Sequence, residues 1–212
     1  KFKIGTHHST NNNRYQADAA IFLTDTRDQQ IARFAASGLG RMMVNAGHSQ
    51  SRGAELSLRG EIIDGLNLGL NYGYTYATFK DYNTKSAEDE NTEDTKDEYS
   101  GNYVPFVPKH TVTFDASYTW LFQSSWAKRL TIGATYAGAG RIYWTESNNA
   151  SQAYYSTLAA RATLQMKHVQ VEVWGRNLTN TKYNKSYFES MARGFAQHSK
   201  PLQVGIDVRL HF

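Results

Sequence analysis

The chain has 212 residues, a formal charge of +4 and no cysteine, so neither a disulfide framework nor a thiolate metal site can form. No uncharged apolar run approaches the roughly 18–20 residues of a membrane-spanning helix, and Lys1-Phe2-Lys3-Ile4 lacks the long apolar segment of a secretory signal. Aromatic residues nevertheless make up 13% of the chain, with 16 Gly and only 3 Pro, a composition that suits strands alternating between lipid and water.

The charge is unevenly spread. Residues 83–100 hold seven acids (Glu88, Asp89, Glu90, Glu93, Asp94, Asp97, Glu98) against Lys85 and Lys96, a net −5, so the remainder carries +9. Its Lys and Arg residues are scattered singly, with no basic run or helical stripe, which argues against nucleic acid as a partner.

In chain order, period-2 alternation predicts nine strands: about 1–8, 15–32, 42–62, 66–80, 110–122, 129–145, 154–166, 169–181 and 201–212. From Leu66 the even positions read Leu66, Leu68, Leu70, Tyr72, Tyr74 and Tyr76, with Asn67, Gly69, Asn71, Gly73 and Thr75 between them. Val112, Phe114, Ala116, Tyr118, Trp120 and Phe122 repeat the split, and Leu202, Val204, Ile206, Val208, Leu210 and Phe212 close the chain with it. Connections alternate in length. Asn11–Asn13, Asp64-Gly65, Gln123–Lys128 and Lys167-His168 are short, whereas 33–48, 81–109, 146–153 and 182–200 are long and polar. Short turns at one end and long loops at the other describe an outer-membrane barrel. All three prolines fall in loops or at a strand start, where no ladder hydrogen bond is lost.

Charge placement sharpens the expectation. From residue 54 onward, the strand charges Glu55, Arg59, Glu61, Asp115, Arg141, Arg161, Glu172, Arg176, Asp207 and Arg209 all fall opposite the apolar face. Lipid exposure of an Arg or Lys at the bilayer midplane costs about 2–4 kcal/mol, which supplies the reason for such segregation. These residues are therefore expected to face a lumen. Tyr72, Tyr74, Tyr76, Tyr118, Trp120, Tyr143 and Trp144 cluster toward strand ends as interfacial girdles do. A soluble β-sandwich is the plainer alternative, but its strands average about 5–6 residues and these run longer.

Several motifs carry a family resemblance. Asn45-Ala46-Gly47, Gly53-Ala54-Glu55-Leu56-Ser57-Leu58, Asp64-Gly65-Leu66 and Tyr72-Gly73-Tyr74-Thr75-Tyr76-Ala77 resemble the late strands of TonB-dependent outer-membrane receptors. Val107-Pro108-Lys109-His110-Thr111 resembles the start of a later strand in that family, Gly175–Tyr183 its penultimate strand, and Phe212 its terminal aromatic. The ending is closer to iron-siderophore, haem or cobalamin receptors than to the carbohydrate-importing branch. The resemblance implies an all-β, antiparallel transmembrane β-barrel segment in which residues 1–212 form about nine C-terminal strands of a 22-stranded barrel. The plug domain that fills such a barrel is absent from this chain.

The same resemblance implies uptake of a scarce nutrient, powered by an inner-membrane energy-coupling complex acting on the missing N-terminal part. Implied partners are outer-membrane lipid, the plug and earlier strands of the same receptor, and the barrel-assembly machinery. The ladder Leu202, Val204, Ile206, Val208, Leu210 and Phe212 would be the signal that machinery reads. The ten lumen-facing charges would contact the plug, or pair among themselves, Asp207–Arg209 and Glu172–Arg176 included. A self-contained small barrel acting as an adhesin or structural protein is the alternative.

Other features carry less. The acidic loop 83–100 lacks the ligand spacing and central glycine of a calcium loop, and a solvated extracellular loop is expected instead. His7, His8, His48, His110 and His198 have no metal-ligand spacing, so no cofactor is expected. Asn149-Ala150-Ser151 and Asn177-Leu178-Thr179 match the glycosylation sequon by chance in a bacterial barrel. Ser199 beside His198 has no accompanying catalytic motif, and no enzyme is expected.

Overall fold

In the computed structural model, residues 1–10, 14–28, 30–34, 41–45, 47–82, 99–191 and 193–211 are described. Nine strands make one antiparallel sheet in which each pairs with its neighbours in the order β1-β2-β5-β6-β7-β8-β11-β12-β15. They are β1 (Phe2–Ser9), β2 (Tyr15–Arg27), β5 (His48–Ile63), β6 (Leu66–Asp81), β7 (His110–Leu121), β8 (Ala127–Ala139), β11 (Tyr155–Met166), β12 (Val169–Arg176) and β15 (Gln203–Leu210). The nine predicted strands are all present. Four are shorter than the alternation predicts: β2 ends at Arg27, β8 at Ala139 and β12 at Arg176, and β5 starts at His48.

The long connections contain structure that the sequence reading treated as plain loop. Between β2 and β5 stand β3 (Gln30–Phe34) and β4 (Arg41–Asn45). Between β8 and β11 stand β9 (Ile142–Tyr143) and β10 (Ser151–Gln152). Between β12 and β15 stand β13 (Asn184–Ser190) and β14 (Arg193–His198). Each pair forms its own two-stranded ladder. All three rise from the same end of the main sheet, opposite the tight turns.

Those turns follow the residues that make them. Ile63 pairs with Leu66 across Asp64-Gly65, where Gly65 takes φ 84°, a left-handed conformation costly for any residue with a Cβ. The Gly65 amide donates to Glu61 Oε1 at 2.9 Å, and Arg14 Nη2 donates to Asp64 Oδ1 at 2.5 Å, tying two adjacent turns together. Lys167-His168 joins β11 to β12 with equal economy.

Register settles the two faces, because directly opposed residues share a side. One row reads Ala17, Leu58, Leu70, Phe114, Tyr136 and Leu158 across β2 to β11. The next reads Gln16, Arg59, Gly69, Asp115, Thr135 and Ala159. The apolar face is bare: Ile21, Leu23, Phe114, Ile132, Val173, Val204 and Ile206 are all exposed, Val204 at 72%. A sandwich would cover that face with a second sheet, and none lies there among the described residues, which removes the sandwich alternative. Nor does the sheet close on itself among the described residues, since β1 and β15 each have a single neighbour there; these strands do not form a self-contained small barrel.

The buried core lies elsewhere. Phe79 (1% exposed) and Tyr82 (0%) pack with Tyr99 and Val104 at the loop end, where β6 runs on beyond β7. Asn102 and Ala77 carbonyls accept from the Phe79 and Val104 amides, so residues 99–104 dock on β6 as an irregular extra strand.

Glycines mark close approaches in the sheet. At Gly53 an added Cβ would lie 2.0 Å from the Tyr74 carbonyl oxygen and 2.6 Å from the Phe22 ring. The Tyr74 carbonyl is backbone and cannot swing aside. Gly53→Val is therefore expected to break the β5–β6 ladder, seen as loss of the heat-modifiable folded band in electrophoresis of the intact receptor.

Candidate functional site: a charged wall on the polar face

Nine of the ten predicted lumen-facing charges sit on the polar face by register. Glu55, Arg59 and Glu61 face Gly73, Gly69 and Asn67; Asp115 faces Gly69 and Thr135; Arg161 faces Gly133 and Trp174. Glu172 faces Asp207, Arg176 faces Gln203, and Arg209 faces Gln170. Arg141 differs. It lies past the end of β8, and its Nη1 donates to Ser151 Oγ at 3.4 Å, so it belongs to the loops and not to the wall.

Small residues let the long side chains lie flat. A Cβ at Gly69 would meet Arg59 Cγ at 4.0 Å and the Asp115 side chain at 3.6 Å; one at Gly133 would meet Arg161 Nε at 3.9 Å. Asp115 accepts from Thr135 Oγ1 at 2.7 Å, and Ser57 donates to Asn71 Oδ1 at 2.8 Å. The wall opens into two hollows. One, of about 780 Å³, is lined by Arg14, Arg59, Glu61, Asp64 and Asp115; the other, of about 580 Å³, by Lys3, His7, Asp18 and Glu55.

The expected pairs Asp207–Arg209 and Glu172–Arg176 do not form among the described residues; Asp207, Glu172 and Arg176 each engage another side chain. Asp207 Oδ2 accepts from Trp174 Nε1 at 2.7 Å, Glu172 accepts from Thr163 Oγ1 at 2.9 Å, and the Arg176 guanidinium lies 4.9 Å from the Trp174 ring centroid. Trp174 fits because Gly205 opposes it: a Cβ there would stand 2.4 Å from the indole. The close charged contacts that form instead engage side chains before residue 54, which the charge count did not include. Lys3 binds Glu55 at 2.6 Å, His7 meets Asp18 at 2.5 Å, and Arg14 reaches Asp64. Arg129, opposite Gln165 and Leu121, is a further charge on this face that sequence reading passed over.

Gly175–Tyr183 is a structural knot. Asn177 and Asn180 both take left-handed φ values, 49° and 50°. Asn177 Nδ2 donates to the Thr181 and Lys200 carbonyls and its Oδ1 accepts from the Thr181 amide, while Asn180 Oδ1 accepts from Leu202 N. The segment thus pins the exit of β12 to the start of β15. These bonds occupy the Asn177 amide, which fits a structural use of the sequon rather than glycosylation.

Among the described residues no group of three or more His, Asp or Glu could hold a metal. His48 engages Asp25 at 2.5 Å, and His110 Nδ1 lies 2.8 Å from Tyr72 Oη. In the β13–β14 hairpin, a hydrogen bond from Tyr187 Oη to Glu189 holds that phenol above its usual pKa. The acidic stretch 83–98 and the terminal Phe212 lie outside the described residues. Of the proposed assembly ladder, Val204, Ile206, Val208 and Leu210 stand exposed beside Gly175, Val173, Val171 and Val169 of β12. Leu202 precedes the strand.

Comparisons agree with this architecture. The family model "TonB dependent receptor-like, beta-barrel" matches residues 2–178. The probable TonB-dependent siderophore receptor PiuA of Acinetobacter baumannii is 30% identical over 206 residues, covering 96% of this chain and 26% of its own. An uncharacterized TonB-dependent receptor of Haemophilus influenzae is 30% identical over 146 residues, covering 66% of this chain and 39% of its own. Among solved structures, the ferric yersiniabactin receptor FyuA of Yersinia pestis matches with TM-score 0.79 at 23% identity, over 99% of this chain and 29% of that one. This chain therefore spans roughly a quarter to two-fifths of the relatives it matches. With the family model covering most of its length, and a bare apolar face set against a charged wall, the chain belongs to the TonB-dependent receptor-like β-barrel family.

Proposed function

We propose that these strands are the C-terminal stretch of a receptor barrel that imports a ferric siderophore across the outer membrane. The family comprises receptors of the bacterial outer membrane, not enzymes, so the bare apolar face meets lipid and the charged face lines the lumen. Earlier strands of the same receptor pair with β1 and β15, since an unpaired strand edge is not tolerated in hydrocarbon. A plug domain occupies the lumen against Glu55, Arg59, Glu61, Asp115, Arg161, Glu172, Arg176, Asp207 and Arg209. An inner-membrane energy-coupling complex acts through the N-terminal part, and the barrel-assembly machinery reads the β15 ladder.

The observation that carries the siderophore reading is the 30% identity over 206 residues to a relative named as a probable siderophore receptor. The charged wall supports a plug: its Arg and carboxylate groups are only partly satisfied by their own strands, and a docked polar domain would complete them. Haem and cobalamin are the competing cargoes. The test is uptake by cells in which the gene for the intact receptor is deleted and then restored. Loss of radio-iron uptake from a ferric siderophore, recovered on restoration and abolished by an uncoupler, is the expected result. Unchanged siderophore uptake with loss of haem or cobalamin uptake would overturn the reading.

A further inference from the structure

We propose that Arg129, Gln165, Gln170 and Arg209 form a docking row for an acidic, extended segment of the plug domain at the turn end of the lumen. The proposal rests on the plug reading given above and adds the chemistry of the partner.

The four residues stand side by side on successive strands of the sheet. Arg129 of β8 opposes Gln165 of β11, Gln165 opposes Gln170 of β12, and Gln170 opposes Arg209 of β15. Arg129 and Gln170 lie close to the starts of their strands, Gln165 and Arg209 close to the ends of theirs. All four therefore sit beside the short turns, which is the periplasmic side of such a barrel.

None of the four side chains has a hydrogen-bond or ion-pair partner among the described residues. The next row up the polar face differs. It runs Thr119, Thr131, Thr163, Glu172 and Asp207. There the Thr119 and Thr131 hydroxyls lie 3.0 Å apart, Glu172 accepts from Thr163 Oγ1 at 2.9 Å, and Asp207 accepts from Trp174 Nε1 at 2.7 Å. The upper row satisfies itself; the lower one does not. A second observation marks the same place. Leu121 opposes Arg129 at the head of the lower row, so it shares the polar face, and it is 80% exposed. An apolar side chain on the wet face gains from being covered.

The row selects the chemistry of what covers it. Once a plug fills the lumen and water withdraws, a guanidinium without an anion is costly, and a carboxylate offers it two parallel hydrogen bonds. A Gln amide both donates and accepts, which matches a peptide backbone. At about 4.8 Å between strands, Arg129 and Arg209 stand about 14 Å apart. In an extended segment, acids four residues apart are separated by about 13 Å on one face. The segment thus carries Asp or Glu at both positions, lays its backbone over Gln165 and Gln170, and rests an apolar side chain on Leu121. The plainer reading is four solvated side chains that bind nothing. The closure of the row above and the exposure of Leu121 tell against it.

The test uses the intact receptor in outer membranes, with Leu121→p-benzoylphenylalanine as a photo-cross-linker that leaves the row itself untouched. The cross-linked peptide is identified by mass spectrometry. A plug peptide with two acids four residues apart is expected. Adding Arg129→Glu/Arg209→Glu should lower the yield about tenfold, and Arg129→Lys/Arg209→Lys should nearly preserve it. Changing the two acids to Lys in the charge-reversed receptor should restore the yield, which mere misfolding would not allow. A cross-linked plug peptide without acids, or a yield indifferent to charge reversal, would overturn the docking row and leave the plug reading standing. So would failure to reach the plug from position 121 while the same probe at Thr113, higher on the polar face, reaches it. Failure from both positions would overturn the plug reading as well.

Discussion

Phe79→Ala is expected to cost about 3–5 kcal/mol locally, because Phe79 is 1% exposed and its ring packs 4.7 Å from that of Tyr82. The loss is confined to the loop end. Phe79 and Tyr82 form a buried apolar cluster against which the partly buried Tyr99 and Val104 pack, and together they anchor residues 99–104 on the top of β6. The barrel below is held by ladders that this ring does not touch. Hydrogen exchange on the intact receptor should show the amides of Phe79, Gly101 and Val104 losing protection, while those of Leu68–Tyr72 keep theirs. Equal loss in both segments would mean that loop base and barrel unfold as one unit.

Phe114→Arg should act in the opposite place. Phe114 is 42% exposed on the apolar face of β7, in the row of Leu58 and Leu70 near mid-height of the sheet. An Arg there meets hydrocarbon and is expected to destabilise the barrel by about 2–4 kcal/mol. Its neighbour Thr113 faces Asn71 and Ala137 on the polar side, so Thr113→Arg should cost less than about 1 kcal/mol. Denaturant unfolding of the two variants in lipid measures the contrast. One residue of separation decides it, since a strand turns successive side chains to opposite faces.

That same alternation explains what the sequence made legible. Nine strands, their order and their two faces follow from runs such as Leu66–Tyr76 and Val112–Trp120, where side-chain chemistry changes every residue. Nine wall charges follow for the same reason. Arg141 was misplaced because apolar Ile142 and Trp144 prolong the pattern past Ala139, although both are buried under the loops and do not face lipid. The β13–β14 hairpin was missed because its alternation is short and largely polar, with Phe188 stacked on Phe195 across it. Lys3, His7, Asp18 and Arg14 escaped because the first strands carry fewer apolar residues to fix a face. No periodicity announces the Phe79 cluster: it arises where residues far apart in sequence close over one strand end.

The central claim is that the even-numbered residues of β7 touch lipid and the odd-numbered ones touch water or plug. Collision accessibility of nitroxides at single cysteines from Thr111 to Trp120, in the intact receptor with any native cysteines elsewhere replaced, tests it most directly; this chain supplies none of its own. Oxygen should collide preferentially at positions 112, 114, 116, 118 and 120, with a period of two and the reverse phase for a water-soluble nickel complex. A flat profile, or oxygen preference at 111, 113, 115, 117 and 119, would contradict the assignment of faces and with it the barrel wall described here.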